Sequence, residues 1–200
     1  MTASPEATSV AAGTELLERA IAYTRASLAL VTPDSLWRPT PCLEWDLAAL
    51  LVHMDDSLEA LLDAVVLGRV GLQPLPVAHR EGPCVAVVGS LRDQACRLLA
   101  TWSHLPEGAR VTVGGHTLPA GIVAVTGALE IAVHGWDVAR ACGQDRPLPE
   151  ALAEELLAAA PALVTEADRA GRFAPALTCD AHAPAGTRLL AFTGRSAAVG

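Results

Sequence analysis

Apolar positions recur along this chain at helical intervals and are interrupted by proline and glycine, the pattern of amphipathic helices joined by loops. Residues 14–31 place Leu16, Leu17, Ala20, Ile21, and Ala26 or Leu28 on one side and stop before Pro33, which predicts a first helix. A loop over residues 32–45 carries Pro33, Pro39 and Pro41. Asp46 is a good N-cap, and after it Leu47, Leu50, Leu51, Met54, Leu58, Leu61, Leu62 and Val65 recur close to the helical period until Gly68. Residues 68–82 read as a connection, and residues 84–105 as a third helix that turns Val88, Leu91, Ala95, Leu98 and Leu99 inward. The alternation from Arg110 to Leu118 around Gly114 and Gly115 predicts a small hairpin. Pro119 then opens a fourth helix that runs to Ala141 and is stopped by Gly143. A fifth helix over residues 149–168 precedes a tail whose Phe173, Leu177, Leu189, Leu190 and Phe192 are expected to pack back as strand or coil.

Long helices with short loops imply an all-α, antiparallel four-helix bundle, with the hairpin before helix four and a short C-terminal extension. At 200 residues the chain reads as a single domain, its core helices spanning about 14–168 and its tail 169–200. A composition 52% hydrophobic and 18% charged excludes a disordered chain. The net charge of -8 argues against nucleic acid as a partner, because the phosphate backbone would be repelled. Cys42, Cys84, Cys96, Cys142 and Cys179 form an odd set without a C-x-x-C spacing, as expected of thiols in a reducing cytoplasm. Residues 1–13 lack the basic start of a signal peptide, and the apolar run from Leu118 to Leu129 is cut off by Glu130 before it reaches membrane-spanning length. A soluble, cytoplasmic protein is therefore expected. Its alanine-rich helices would also permit close packing between protomers of a homodimer.

Bundles build their sites from side chains that project inward, so polar residues on apolar stripes matter most. On helix four Glu130 and His134 stand one above the other, with Asp137 on the same face, in line with Val123, Gly127 and Ala141. Buried charge must be paired or bound to a metal. Helix two offers His53 on a flank of small residues, Ala49, Ser57, Ala60 and Ala64, which leave room for a pocket. Two histidines and one glutamate make a three-ligand set with an open position, as in catalytic zinc sites. Ni, Fe or Mn would also suit imidazole and carboxylate donors. Asp137 could be the acceptor that orients a ligand imidazole, or could handle a proton in the reaction. The plainer alternative is that Glu130 and His134 form an ordinary hydrogen-bonded pair and His53 is a satisfied helix histidine.

The local sequences Thr40-Pro41-Cys42-Leu43-Glu44-Trp45-Asp46, Leu50-Leu51-Val52-His53 and Glu130-Ile131-Ala132-Val133-His134-Gly135-Trp136-Asp137-Val138-Ala139-Arg140 resemble the DinB/YfiT-like superfamily. Within it they are similar to the actinobacterial metal-binding branch that includes the N-terminal domain of mycothiol-dependent maleylpyruvate isomerase. The likeness extends to the closing Arg188-Leu189-Leu190-Ala191-Phe192-Thr193-Gly194-Arg195. It implies a bundle of up-down-down-up character with a divalent metal, usually zinc, held by His53, Glu130 and His134. It also implies mycothiol as a cosubstrate. That isomerase carries a further C-terminal domain, for which the residues after Phe173 are too few, so maleylpyruvate is not carried over as the substrate.

Elsewhere the residues read more plainly. Cys42 precedes helix two and could face the pocket as nucleophile or soft ligand, though a packing role is expected. Trp45 and Trp136 are read as packing anchors. His79, His104, His116 and His182 are read as solvated, as are Asp55 and Asp56, with Asp56 also near enough to His53 to support it. The first functional expectation is a metal-dependent enzyme that uses an activated thiol to transfer to, or isomerise, an electrophilic small molecule. The same site could activate water or a carbonyl in a hydrolase, cyclase or isomerase of specialised metabolism. A noncatalytic metal-binding stress or regulatory module and, last, an empty interaction bundle complete the alternatives.

Overall fold

The computed structural model describes residues 8–42, 45–70, 84–165, 169 and 173–197. Leu43, Glu44, His79 and most of the expected connection over residues 68–82 lie outside them. Among the described residues six helices follow one another: α1 (Val10–Leu28), α2 (Leu47–Val66), α3 (Cys84–Trp102), α4 (Ala120–Ala141), α5 (Glu150–Leu163) and α6 (Ala185–Phe192). Three short strands, β1 (Arg69–Val70), β2 (Arg110–Val113) and β3 (His116–Pro119), form a small sheet. The molecule is thus mostly helical. The hairpin has the expected two-residue turn, Gly114 and Gly115 both holding positive φ (55° and 85°). β1 pairs with β2 in parallel, an addition that the two-residue segment after Gly68 is too short to announce.

α1 lies along α4 in the most extensive pairing of the fold; α4 also packs on α2, α2 on α3, and α3 on α1. The core they enclose includes Leu17, Ala20, Leu50, Leu51, Leu91, Leu98, Ala128 and Leu129. Asp46 caps α2 as expected, accepting from the Ala49 amide at 2.9 Å. Gly143, at φ 76°, closes α4 with the Gln144 amide donating back to the Ala139 carbonyl at 2.9 Å. α4 is long and apolar enough by composition to cross a membrane, yet 83% of its apolar window is buried inside the protein.

Several boundaries move, each for a tertiary reason. α1 begins at Val10 because Ser9 accepts from the Ala12 amide and the distant Glu107 carboxylate accepts from the Val10 and Ala11 amides, both at 2.9 Å. It ends at Leu28, and residues 33–35 form a separate 3₁₀ turn begun by Pro33. α5 stops at Leu163, two residues after Pro161, whose ring removes a helix amide and crowds the carbonyl one turn back. The tail is corrected most: residues 185–192 are helix, not strand or coil. Glu150 caps that helix across the chain, accepting from the Ala185 amide at 2.8 Å.

α4 packs tightly on α1 because glycines on both helices allow it. A Cβ on Gly135 would collide with Thr24, whose hydroxyl donates to the Ile131 carbonyl at 2.8 Å in the buried interface. A Cβ on Gly13 would stand 2.6 Å from the Gly121 carbonyl oxygen, a backbone atom that cannot swing aside. Gly135→Ala should therefore destabilise the fold by about 1–3 kcal/mol, the usual cost of overpacking, although alanine is the better helix former by about 1 kcal/mol. Chemical denaturation of the two proteins checks this, and equal or greater stability of the variant would contradict the packing argument.

Candidate metal centre

The loop before α2 is folded over the first turn of that helix. Thr40 accepts from the Cys42 amide at 3.2 Å and donates to the Trp45 carbonyl at 2.9 Å, while the Leu47 and Ala48 amides donate to the Arg38 and Leu36 carbonyls. These bonds satisfy amides that a helix start leaves without intrahelical partners. They also place Trp45 against the imidazole of His53, ring centroids 4.5 Å apart, and 6.1 Å from that of His134. Trp45, expected as a packing anchor, is half-buried over both imidazoles, whereas Trp136 is buried in the core.

His53 from α2 and Glu130 and His134 from α4 converge, and their ligand atoms all lie within 4.8 Å of one another. Oε1 of Glu130 stands 3.0 Å from Nε2 of His53 and 3.5 Å from Nε2 of His134. Tetrahedral coordination with bonds of about 2.0–2.1 Å puts neighbouring ligand atoms roughly 3.3 Å apart, so these donors fit one divalent ion. On its other side Nδ1 of His134 lies 3.0 Å from Oδ2 of Asp137. Asp137 thus touches the imidazole where an orienting acceptor belongs, as one of the expected roles requires. Neither Asp137 nor Cys42 joins the three-residue cluster.

Burial works against a charge on Glu130, but hydrogen bonds to His134 and His53 and the attraction of both imidazoles hold its carboxyl well below the usual carboxylate range. Burial likewise opposes a charged His134, yet its bonds to Asp137 and Glu130 and their negative charges outweigh it, and its pKa is pushed up to about 9. Asp137 is completely buried and still held low, by His134 and by Arg195.

Glu130 and His134 also line an open cleft whose enclosed cavity is only about 20 Å³. Its walls come from α1 (Ile21, Thr24, Leu28), α2 (Met54, Ser57, Leu58), α3 (Leu91, Ala95) and α4 (Ile131), with the exposed Arg25 also on its lining. Of the small residues expected to open space, Ser57 lines it and Ala49, Ala60 and Ala64 do not.

Other sequence readings divide. His104, His116 and His182 are exposed, as expected, although His116 sits in β3. Asp55 is not on a solvated face: it is buried between α2 and α3 and accepts from Ser90 at 3.1 Å and Gln94 at 2.6 Å. Asp56 is half-buried. The residue that sequence reasoning missed is Arg195, whose Nη2 donates to Asp137 at 2.9 Å from the far end of the chain. Its sequence signals are its place at the end of the Arg188–Arg195 segment that carries the family likeness and the Thr193-Gly194 stop before it.

In metal-free protein the raised pKa of His134 links stability to pH. A group whose pKa is raised on folding contributes fully below its unfolded value, about 6.5, and loses that contribution as pH rises through the folded value. Denaturation with a chelator present should show His134→Gln costing most stability at about pH 6 and progressively less through about pH 9. A pH-independent difference between the two proteins would contradict a charged His134.

Comparison with known proteins agrees with this architecture. Residues 17–139 match the family model of the mycothiol maleylpyruvate isomerase N-terminal domain. Two Mycobacterium tuberculosis proteins, described as uncharacterized proteins MT0763 (strain CDC 1551 / Oshkosh) and Rv0738 (strain ATCC 25618 / H37Rv), are each 31% identical over 173 residues, which is 86% of this chain and 91% of theirs. Crystal structures of the mycothiol-dependent maleylpyruvate isomerase share the fold. A histidine-to-alanine mutant superposes with a TM-score of 0.60 at 17% identity, and the unmutated isomerase with 0.58 at 18% identity. Each covers 74% of this chain and 68% of its own. The chain belongs to the family of the mycothiol maleylpyruvate isomerase N-terminal domain.

Proposed function

We propose that this protein is a zinc-dependent enzyme that uses a thiol, mycothiol by family likeness, to isomerise or transfer to an electrophilic small molecule. The observation that carries the reading is the convergence of Nε2 of His53, Nε2 of His134 and Oε1 of Glu130, with Glu130 and His134 also lining a pocket. Membership of a family named for a mycothiol isomerase supports the thiol and the isomerase class. In the same reading α1 to α4 are a four-helix bundle of the DinB type within one domain of residues 1–200, working in the cytoplasm.

His53, Glu130 and His134 would hold the ion through three donors, one fewer than a closed structural zinc site uses. When bound, zinc supplies a Lewis acid that lowers the pKa of an incoming thiol so that it reacts as the thiolate. Asp137 takes the Nδ1 proton of His134 in a hydrogen bond and so keeps Nε2 aimed at the site. Trp45 covers both imidazoles from the loop side. Ile21, Leu28, Leu58, Leu91 and Ile131 make the wall apolar, which excludes water from a reacting thiolate.

Protein purified without a metal-affinity tag should carry about one equivalent of zinc or a similar divalent metal, as a three-ligand site predicts. His53→Ala and His134→Ala should each lose it, by mass spectrometry of the metal content. The parent should then consume electrophilic substrates only with a thiol present, which a screen with and without mycothiol reads. Metal-free parent that takes up no added zinc would remove the proposal, and metal retained in both variants would move the site elsewhere.

A further inference from the structure

We propose that Arg195, and the C-terminal turn that carries it, are a working part of the metal centre. Its guanidinium fixes Asp137 against Nδ1 of His134 so that Nε2 is presented as a ligand atom. The inference rests on the metal reading of the triad and assigns a positioning residue outside the 17–139 span of the family match.

Asp137 has no exposed surface, and a buried carboxylate is costly unless its lone pairs are satisfied. His134 supplies one partner, at 3.0 Å. Arg195 supplies the others: Nε stands 3.3 Å from both Oδ1 and Oδ2, and Nη2 stands 2.9 Å from Oδ2. Nη1 of Arg195 donates to the Thr193 carbonyl at 2.8 Å, which holds the guanidinium in place. Arg195 itself is only 6% exposed, so this contact is shielded from water and salt.

The backbone delivers the side chain deliberately. α6 ends in a Schellman turn: Gly194 takes φ 81° and donates to the Ala191 carbonyl at 3.0 Å, and the Arg195 amide donates to the Leu190 carbonyl at 2.8 Å. The residue after such a glycine commonly makes an apolar contact with the helix it closes. Here that position holds an arginine directed at α4. Arg169 secures the same turn from another direction, donating to the Phe192 and Ala174 carbonyls at 3.0 and 3.3 Å.

Stability alone does not account for this arrangement, because an apolar pair of similar volume would fasten a tail at least as well as a buried ion pair. What an apolar pair cannot do is act on the imidazole. A metal-ligating histidine needs its proton on the nitrogen that faces away from the ion, and an ionised acceptor at that nitrogen selects the tautomer and fixes the ring. Arg195 holds that acceptor in place through Nε and Nη2. The fork geometry matters too: a lysine ammonium keeps the charge but cannot span both carboxylate oxygens.

The test is zinc affinity of the full chain, stripped of metal and titrated with zinc ion against a chromogenic chelator. Arg195→Met should bind zinc roughly 10- to 100-fold more weakly than the parent, the usual effect of losing support to a metal-bound histidine. Arg195→Lys should recover part of that loss, and cobalt-loaded Arg195→Met should show an altered visible spectrum. Arg169→Met loosens the same turn without touching Asp137, so it should lower the unfolding temperature and leave zinc affinity unchanged. If Arg195→Met does not fold, Arg195→Lys carries the test, with weakened zinc binding expected in a folded protein. Parent-like zinc affinity in a folded Arg195 variant would overturn the assignment, as would an equal loss in Arg169→Met. A parent that takes up no zinc would instead bring down the metal reading itself.

Discussion

The fold's most buried helix carries Glu130, His134 and Asp137 on one face, and the requirement that these groups satisfy one another shapes what surrounds them. No element does this alone. Helix α4 provides two carboxylates and one imidazole, which leaves excess negative charge in a shielded place. His53 from α2 and Arg195 from beyond α6 bring the compensating groups. The chain therefore meets at this point from three directions, and the packing that brings it there, with Thr24 of α1 seated against Gly135, touches the residue next to His134.

In the proposed reading, a hydrogen-bonded cluster and a metal site would be two states of one arrangement. Without metal, both imidazoles share Oε1 of Glu130, and His134 holds a proton tightly. A divalent ion would enter by displacing that proton, since a ligand imidazole must be neutral at the coordinating nitrogen. Protons and metal would thus compete for the same lone pairs, and Asp137 would support His134 in either state.

Glu130 and His134 were legible together because their spacing is local, whereas His53, 77 residues from Glu130 in the chain, was joined to them by its place on a second helix and by the family resemblance. Glu130 and His134 are related by one helical turn, and His53 follows the Asp46 cap by a fixed interval on a strongly amphipathic helix. The carboxylate behind His134 was legible for the same reason. Asp55 was not, because its partners Ser90 and Gln94 lie on another helix and nothing near residue 55 signals them. The early start of α1 depends on Glu107 and the start of α6 on Glu150, both caps supplied across the chain. The tail's helix was missed although Gly194 after Leu189, Leu190 and Phe192 is an ordinary helix stop. At eight residues the helix is too short to show a helical period.

A family boundary drawn by sequence similarity need not be the boundary of the unit that does the chemistry. The family match ends at residue 139, just past Asp137, and includes every proposed ligand. A segment cut there would lack Arg195 and leave Asp137 with only His134 of the two groups that answer its charge in the full chain. Such a carboxylate can hold a proton, draw one from His134, or admit water, and each weakens the acceptor that orients the imidazole. The crystal structures of the isomerase, at 17% and 18% identity, preserve the helices. Helices alone set where His53, Glu130 and His134 stand. The charge balance behind His134 is a separate requirement, and in this chain it is met by the turn that follows α6.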